Sequence, residues 1–261
     1  MAGIHVEAVS KRFRLYAKDR PYTLQETLVR GFRKLRVQEE FWALQDVSLE
    51  VAAGEMVGVI GRNGAGKSSL LRLAGGIGRP DRGRIVVDGR LGALIDLGAG
   101  FHPELTGREN VYMNGVISGL TRRQVSAILD DIVAFAELED FIDSPVRTYS
   151  SGMQLRLAFA VAVHVQPEVL LVDEVLAVGD LGFKRKCLDR IDELRSQGAA
   201  ILFVTHDLVQ AQQICNRVVW LNKGRSPTRS ALTAQGWNCS TAPSAARNRP
   251  IRSAWNQTPG F

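Results

Sequence analysis

The sequence predicts an α/β fold on a mostly parallel sheet, with a helical block set between its strands. Three observations carry that reading. The runs VGVI, VLLV and AILFV are short and continuously apolar, as strands buried on both faces of a parallel sheet are. Helical segments separate them, KSSLLRLAGG after the first and KRKCLDRIDELRSQG between the second and third. Between Leu105 and Gln166 the pattern is helical throughout.

Taken in order, VSLEVAAGEMVGVI (47–60) reads as a strand, a Gly turn and a second strand, and a Gly-rich loop follows it directly. TGRENVYMNGVISGL then reads as a helix. TRRQVSAILDDIVAFAEL reads as a second, opening with the capping-box order Thr121 to Gln124, and SGMQLRLAFAVAVHVQ as a third. EVLLVD and AAILFVT resume the sheet, and RVVWLNKG is the last strand expected. Upstream, Leu24, Leu28, Phe32 and Leu35 recur at helical spacing among Arg30, Arg33, Lys34 and Arg36. This predicts a basic amphipathic helix within an insertion of residues 20–40, suited to a membrane surface or to packing on the core. From Ser226 the text is rich in Ser, Thr, Pro, Ala and Arg with no periodic apolar face, so residues 225–261 are expected to be a disordered or aberrant tail.

Composition narrows the classes. A chain of 261 residues with 45% hydrophobic and 23% charged residues is neither wholly disordered nor fibrous. It has room for one core with a smaller subdomain. The start, MAGIHVEAVSKRF, has no secretory apolar stretch, and no run of 18 or more apolar residues provides a membrane span, so a cytosolic chain is expected. Cys187, Cys215 and Cys239 have neither disulfide-framework nor metal-ligand spacing. The net charge of +6 falls mostly on Arg225, Arg229, Arg247, Arg249 and Arg252, among which no acid stands. A local charge of this kind gives no nucleic-acid footprint, and no nucleic-acid partner is expected.

Gly61-Arg62-Asn63-Gly64-Ala65-Gly66-Lys67-Ser68 matches G-x-x-x-x-G-K-[ST] between a buried strand and a helix. The glycines let backbone N–H groups curl around a phosphate, Lys67 neutralises its outer oxygens and Ser68 can ligate Mg²⁺. The helix that follows aims its N-terminus at the same anion, with Ser69 in its first turn. Such a site also needs a carboxylate for the metal and a base for water at the end of a buried strand. Val169-Leu170-Leu171-Val172-Asp173-Glu174 offers both: Asp173 for the metal shell, Glu174 for the attacking water.

Between these segments stands Tyr149-Ser150-Ser151-Gly152-Met153-Gln154. With it the order GRNGAGKS, YSSGM, VLLVDE, Ala177-Val178-Gly179-Asp180 and FVTHD resembles the ATP-binding subunits of ABC transporters over residues 3–224. The resemblance implies a P-loop NTPase fold of ABC type: a nucleotide-binding domain over residues 1–224, with a helical subdomain at 105–166. It implies ATP and Mg²⁺ as cofactors, and a head-to-tail dimer in which each ATP is closed by the partner's Ser150, Ser151, Gly152 and Met153. His206 then contacts the γ-phosphate. One subunit leaves that phosphate half exposed, and a second helix N-terminus completes the anion cage.

The segment Arg90–Val111, with YSSGM and DEVLAVGD, resembles the subfamily exporting lipid-linked polysaccharide: O-antigen, capsule or teichoic acid. That implies an integral membrane permease as partner, lipid-linked polysaccharide as cargo, and a peripheral place on the cytoplasmic face of the inner membrane. The family's usual glutamine before Pro-x-Leu-Thr is missing, since Leu97 stands there with Asp96 beside it, and Asp96 could offer oxygens to Mg²⁺. For adenine, the family's upstream aromatic falls in register on Phe13, with Tyr16, Phe41 and Trp42 as competitors. The alternatives are another transporter subfamily, or a soluble ABC-type ATPase acting on nucleic acid; the chain has one phosphate loop, no heptads and no Cys₄ site.

Overall fold

The computed structural model describes residues 2–16, 37–95, 100–173, 180–226 and 231–233. Two sheets and a helical layer make up this part of the molecule. The first sheet has the order β2-β1-β4, formed by β1 (Gly3–Tyr16), β2 (Val37–Val51) and β4 (Arg82–Asp88), all antiparallel. The second has six strands in the order β5-β6-β7-β3-β8-β9: β5 (Leu91–Leu94), β6 (Val169–Val172), β7 (Ala200–Thr205), β3 (Met56–Ile60), β8 (Arg217–Trp220) and β9 (Ala231–Thr233). Its pairings are parallel except that of β8 with β9.

Every residue of β3, β6 and β7 is buried, which explains why their sequences are unbroken apolar runs. The two sheets face each other around α1 (Lys67–Ala74), burying Ile4, Leu44, Val51, Val57, Leu70 and Leu171 in one cluster. On the other face of the six-stranded sheet, α5 (Leu181–Ser196) and α6 (Leu208–Ile214) bury Phe183, Ile191, Phe203 and Ala211. A third cluster fills the helical layer of α2 (Gly107–Ile117), α3 (Arg122–Ala136) and α4 (Ser151–His164), around Val125, Ile132, Leu157 and Val161.

Local chemistry sets these helix ends. Both Thr106 with Glu109 and Thr121 with Gln124 form complete capping boxes. The first of these is not among the sequence-based expectations, although TGRE carries the same signature.

Two expectations are corrected. The tail is not structureless from residue 225: Ala231–Thr233 pairs antiparallel with β8. Without β9, β8 would leave one row of backbone N–H and C=O groups open at the sheet edge. The insertion expected over residues 20–40 ends earlier, because Val37–Glu40 already belong to β2 and pair with β1. The amphipathic stretch Leu24–Leu35 lies outside the described residues, as do residues 234–261.

Candidate nucleotide site

The phosphate loop joins the C-terminal end of β3 to α1. Gly61 is buried, and a Cβ there would run into the carbonyl oxygen of Leu221. Gly66 caps α1 in the left-handed region (φ 100°), and a Cβ would strike the Ala43 carbonyl of β2. Glycine is therefore needed twice, once for a close approach and once for conformation. Gly64, also at positive φ, has open space where a side chain would stand.

Lys67 is the one lysine buried among the described residues, at 7% exposure. Its Nζ donates to Gly61 O at 2.8 Å and Arg62 O at 3.3 Å, so the ammonium is held inside the loop. Burial pulls the ammonium below its ordinary range, and the negative charge of Asp173 partly offsets this. Lys67 and Asp173 are thus brought together electrostatically from segments more than a hundred residues apart. Ser68 is exposed at the start of α1, and Ser69 is half-buried behind it.

Strand register gathers the other residues at the same edge. Ile60 of β3 pairs with Thr205 of β7, so Gly61 and His206 leave neighbouring strands at one level. Val172 of β6 pairs with Phe203 of β7, so Asp173 follows at the same edge. Sites in open α/β sheets form at the carboxyl ends of strands, as here. His206 is exposed, and Asp207 behind it caps α6 by accepting from Val209 N and Gln210 N. Glu174, Ala177–Gly179 and Asp96 lie outside the described residues.

Ser150 caps α4, its Oγ accepting from Met153 N at 3.2 Å. Ser150 and Ser151 are exposed, with Gly152 and Met153 half-buried. No hydrogen bond among the described residues joins this turn to the phosphate loop of the same chain. One turn further along α4, Arg156 ties the turn to its surroundings. Its guanidinium donates to Glu137 at 2.5 Å and Asp180 at 2.7 Å and lies 4.8 Å from the centre of the Phe183 ring. Asp180 caps α5 through Phe183 N, and that backbone bond, then the Arg156 charge, holds its carboxyl below the usual range. Arg156 is not a sequence-based expectation; an Arg within a helix carries no signal of a contact twenty-four residues away.

Of the aromatic candidates, Phe13 and Phe41 stack across β1 and β2 with ring centres 5.9 Å apart, and both are exposed. Trp42 is occupied differently, with Arg12 at 5.5 Å and Arg82 at 5.4 Å from its ring centre. The Tyr16 side chain lies outside what is described.

Beside the site, β5, α2 and α4 enclose a cavity of about 190 Å³ lined by Gly92, Ile95, Phe101, Asn114, Ala158 and Ala162. Val116 and Ile117 stand exposed toward the same end of α2.

A family profile described as ABC transporter matches residues 44–177, from β2 across the phosphate loop and helical layer to the segment after β6. The chain belongs to the ABC transporter family. It is 47% identical over 196 residues to an O-antigen export system ATP-binding protein RfbB of Klebsiella pneumoniae, covering 75% of this chain and 79% of that one. To the RfbB of Myxococcus xanthus it is 47% identical over 228 residues, 86% of this chain and 52% of the relative. The chain therefore spans about half the length of that relative. The teichoic acids export ATP-binding protein TagH of Levilactobacillus brevis is 43% identical over 223 residues, 85% of this chain and 60% of that one. Among solved structures, an ATP-binding subunit of an ABC transporter superposes with a TM-score of 0.71 at 26% identity, covering 88% of this chain and 90% of that one. A dimeric bacterial ABC transporter cassette gives 0.71 at 21% identity, covering 90% and 100%, and so shows the shared ABC-cassette fold. As an ABC cassette, the chain has the α/β architecture expected: a mainly parallel six-stranded sheet with a helical layer. Among its described residues no helix is long and apolar enough to cross a membrane.

Proposed function

We propose that this chain is the ATP-hydrolysing subunit of a transporter whose separate membrane permease exports lipid-linked polysaccharide of the O-antigen, capsule or teichoic acid type. The observation that carries the reading is the buried Lys67, held in the phosphate loop within the field of Asp173. Relatives named for O-antigen and teichoic acid export supply the class of cargo.

In this reading the triphosphate of ATP lies along the N–H groups of Gly61–Ser69, at the positive end of the α1 dipole. Lys67 exchanges the Gly61 and Arg62 carbonyls for phosphate oxygens, a stronger acceptor for an ammonium. The Ser68 hydroxyl and Asp173 carboxylate are hard oxygen donors of the kind Mg²⁺ takes alongside phosphates, and among the described residues no group of three His, Cys, Asp or Glu side chains forms a protein-only cage. When bound, Mg²⁺ would supply charge neutralisation for the β- and γ-oxygens. Glu174 orients and polarises the attacking water, His206 contacts the γ-phosphate, and Phe13, backed by Phe41, stacks on adenine. Asp96 is a further candidate oxygen donor for the metal.

A second copy, arranged head to tail, presents Ser150, Ser151, Gly152 and Met153 to the γ-phosphate. The exposed Ser150 and Ser151 at the N-terminus of α4 support this. Loss of the γ-phosphate removes the charge that bridges the two chains, so the dimer opens and moves the permease. The permease docks in the cavity between β5, α2 and α4, next to exposed Val116 and Ile117. The subunit sits as a peripheral protein on the cytoplasmic face of the inner membrane.

The Glu174→Gln variant tests the mechanism. It should bind ATP, lose turnover and accumulate as an ATP-bound dimer in size-exclusion chromatography. Retained hydrolysis would remove Glu174 from the mechanism, and an ATP-bound monomer would remove the dimer.

A further inference from the structure

The antiparallel sheet has a second face, and its chemistry is unlike that of the nucleotide side. On one face Phe41 stacks on Phe13. Trp42, next to Phe41 in the strand, points the other way by strand alternation. On that second face Trp42, Ser10, Gln45, Asp46, Arg82 and Arg225 line a cavity of about 570 Å³, within the range that holds small ligands.

Most cations of this sheet have an acid partner. Arg84 pairs with Glu7, Lys11 with Asp81, and Arg12 and Arg14 both with Glu40. The two arginines that line the cavity differ. Arg82 lies 5.4 Å from the centre of the Trp42 ring and has no ion pair among the described residues. Arg225 gives its Nε to Gln45 Oε1 at 2.7 Å, which fixes the guanidinium and leaves both terminal nitrogens without a described acceptor. Ring stacking and a single amide bond hold the two forks in place without neutralising them, as a site for an anion requires. Among the described residues Asp46 is the one carboxylate lining the cavity, its backbone held at φ 51° with its N–H donating to Ser10 Oγ at 3.0 Å. A lone phosphate gains nothing from that carboxylate; a phosphate ester that also carries hydroxyl groups does, because Asp46 can accept from them.

We propose that this cavity is a second ligand site, distinct from the nucleotide site, for a phosphorylated saccharide. Arg82 and Arg225 hold the phosphate, and Asp46 accepts from a sugar hydroxyl. The same head group occurs free, as a sugar 1-phosphate, or at the end of a lipid carrier. Only the second source rests on the export reading; the site itself does not.

The test uses the full chain carrying Lys67→Ala, which weakens competition from the phosphate loop, with tryptophan fluorescence and calorimetry as readouts. Glucose 1-phosphate should bind saturably, and tighter than inorganic phosphate or glucose. Arg82→Ala with Arg225→Ala should weaken it at least about tenfold, the size of one lost charge-assisted bond pair. Arg84→Ala, whose Glu7-paired side chain lies outside the cavity, should leave it unchanged. Asp46→Ala should lower affinity for the sugar phosphate to that for inorganic phosphate. Co-sedimentation with phosphatidylcholine vesicles, plain or carrying a polyprenyl-phosphate-linked glucose, assigns the source: capture by the second alone identifies the lipid-linked form, and binding of glucose 1-phosphate without capture identifies the free one. The proposal is overturned if glucose 1-phosphate binding survives the double substitution, if no saturable binding occurs, or if phosphatidylglycerol vesicles bind equally well with Arg82 and Arg225 replaced.

Discussion

Asn110 of α2 is fully buried, and its amide organises the segment that leads into the helical layer. Oδ1 accepts from His102 N at 2.7 Å, while Nδ2 faces three carbonyls: His102 O at 3.0 Å, Leu105 O at 3.2 Å and Thr106 O at 2.9 Å. Each carbonyl has a second partner, respectively Leu105 N, Val146 N and Asn110 N, so none is orphaned by truncation. Asn110→Ala therefore strands one donor, His102 N, in a half-exposed loop and should cost about 1–2 kcal/mol. Asn110→Asp preserves shape and the bond to His102 but places a carboxylate against three carbonyl oxygens in a buried site. It should be the more harmful change at neutral pH, by a further ~1–3 kcal/mol, because the charged form is both desolvated and repelled. The sign with pH follows. The folded state raises the pKa of the new carboxyl, so it binds more protons than the unfolded state. Stability should fall as pH climbs through the interval between the two pKa values, then level off. Urea unfolding of both variants at acidic and mildly alkaline pH checks this. An Asp variant as stable as the Ala variant at alkaline pH would refute the reasoning.

Arg217 donates twice to Glu55, at 2.8 and 3.2 Å. Burial works to raise the Glu55 pKa, but the Arg217 bonds, the Ala52 N–H and the Arg217 charge outweigh it and leave it lowered. Arg217→Ala should cost about 1–2 kcal/mol at neutral pH, and the gap in Tm from the unaltered chain should close as pH falls through the depressed folded-state pKa. Ser150→Ala should destabilise by only about 1 kcal/mol through the lost cap, while lowering ATP turnover at least tenfold if the hydroxyl also meets the γ-phosphate of the partner chain; parallel unfolding and ATPase measurements separate the two. Burial pushes both Cys187 and Cys215 thiols up to about 12. Neither should react with an aromatic disulfide reagent near neutral pH until urea unfolds the chain, and mass mapping of the labelled peptides would show an exception.

How much of this was legible beforehand depended on the range of the signal. The glycine-rich loop was readable because its motif lies in eight consecutive residues, and the buried strands because neither face tolerates polarity. Asp173 was readable as the end of such a strand. Of the antiparallel sheet only the end of β2 was: β1 is a broken alternation with register shifts after Val6, Val9 and Lys11, and its pairing with β4 joins residues more than seventy apart. The same sheet explains why the choice of aromatic stayed open in the sequence, since Trp42 is set apart from the stacked pair Phe13 and Phe41 only by the face of two paired strands, a property of register. Asn110 carries no signal of its own in the sequence, because its burial and its partners come from the loop 102–106 that folds over it. Arg156 carried no signal in the sequence, and only the packing of α4 on α5 brings it within 2.7 Å of Asp180. That contact joins the turn beginning at Ser150 to Asp180, the cap of α5, within a single chain.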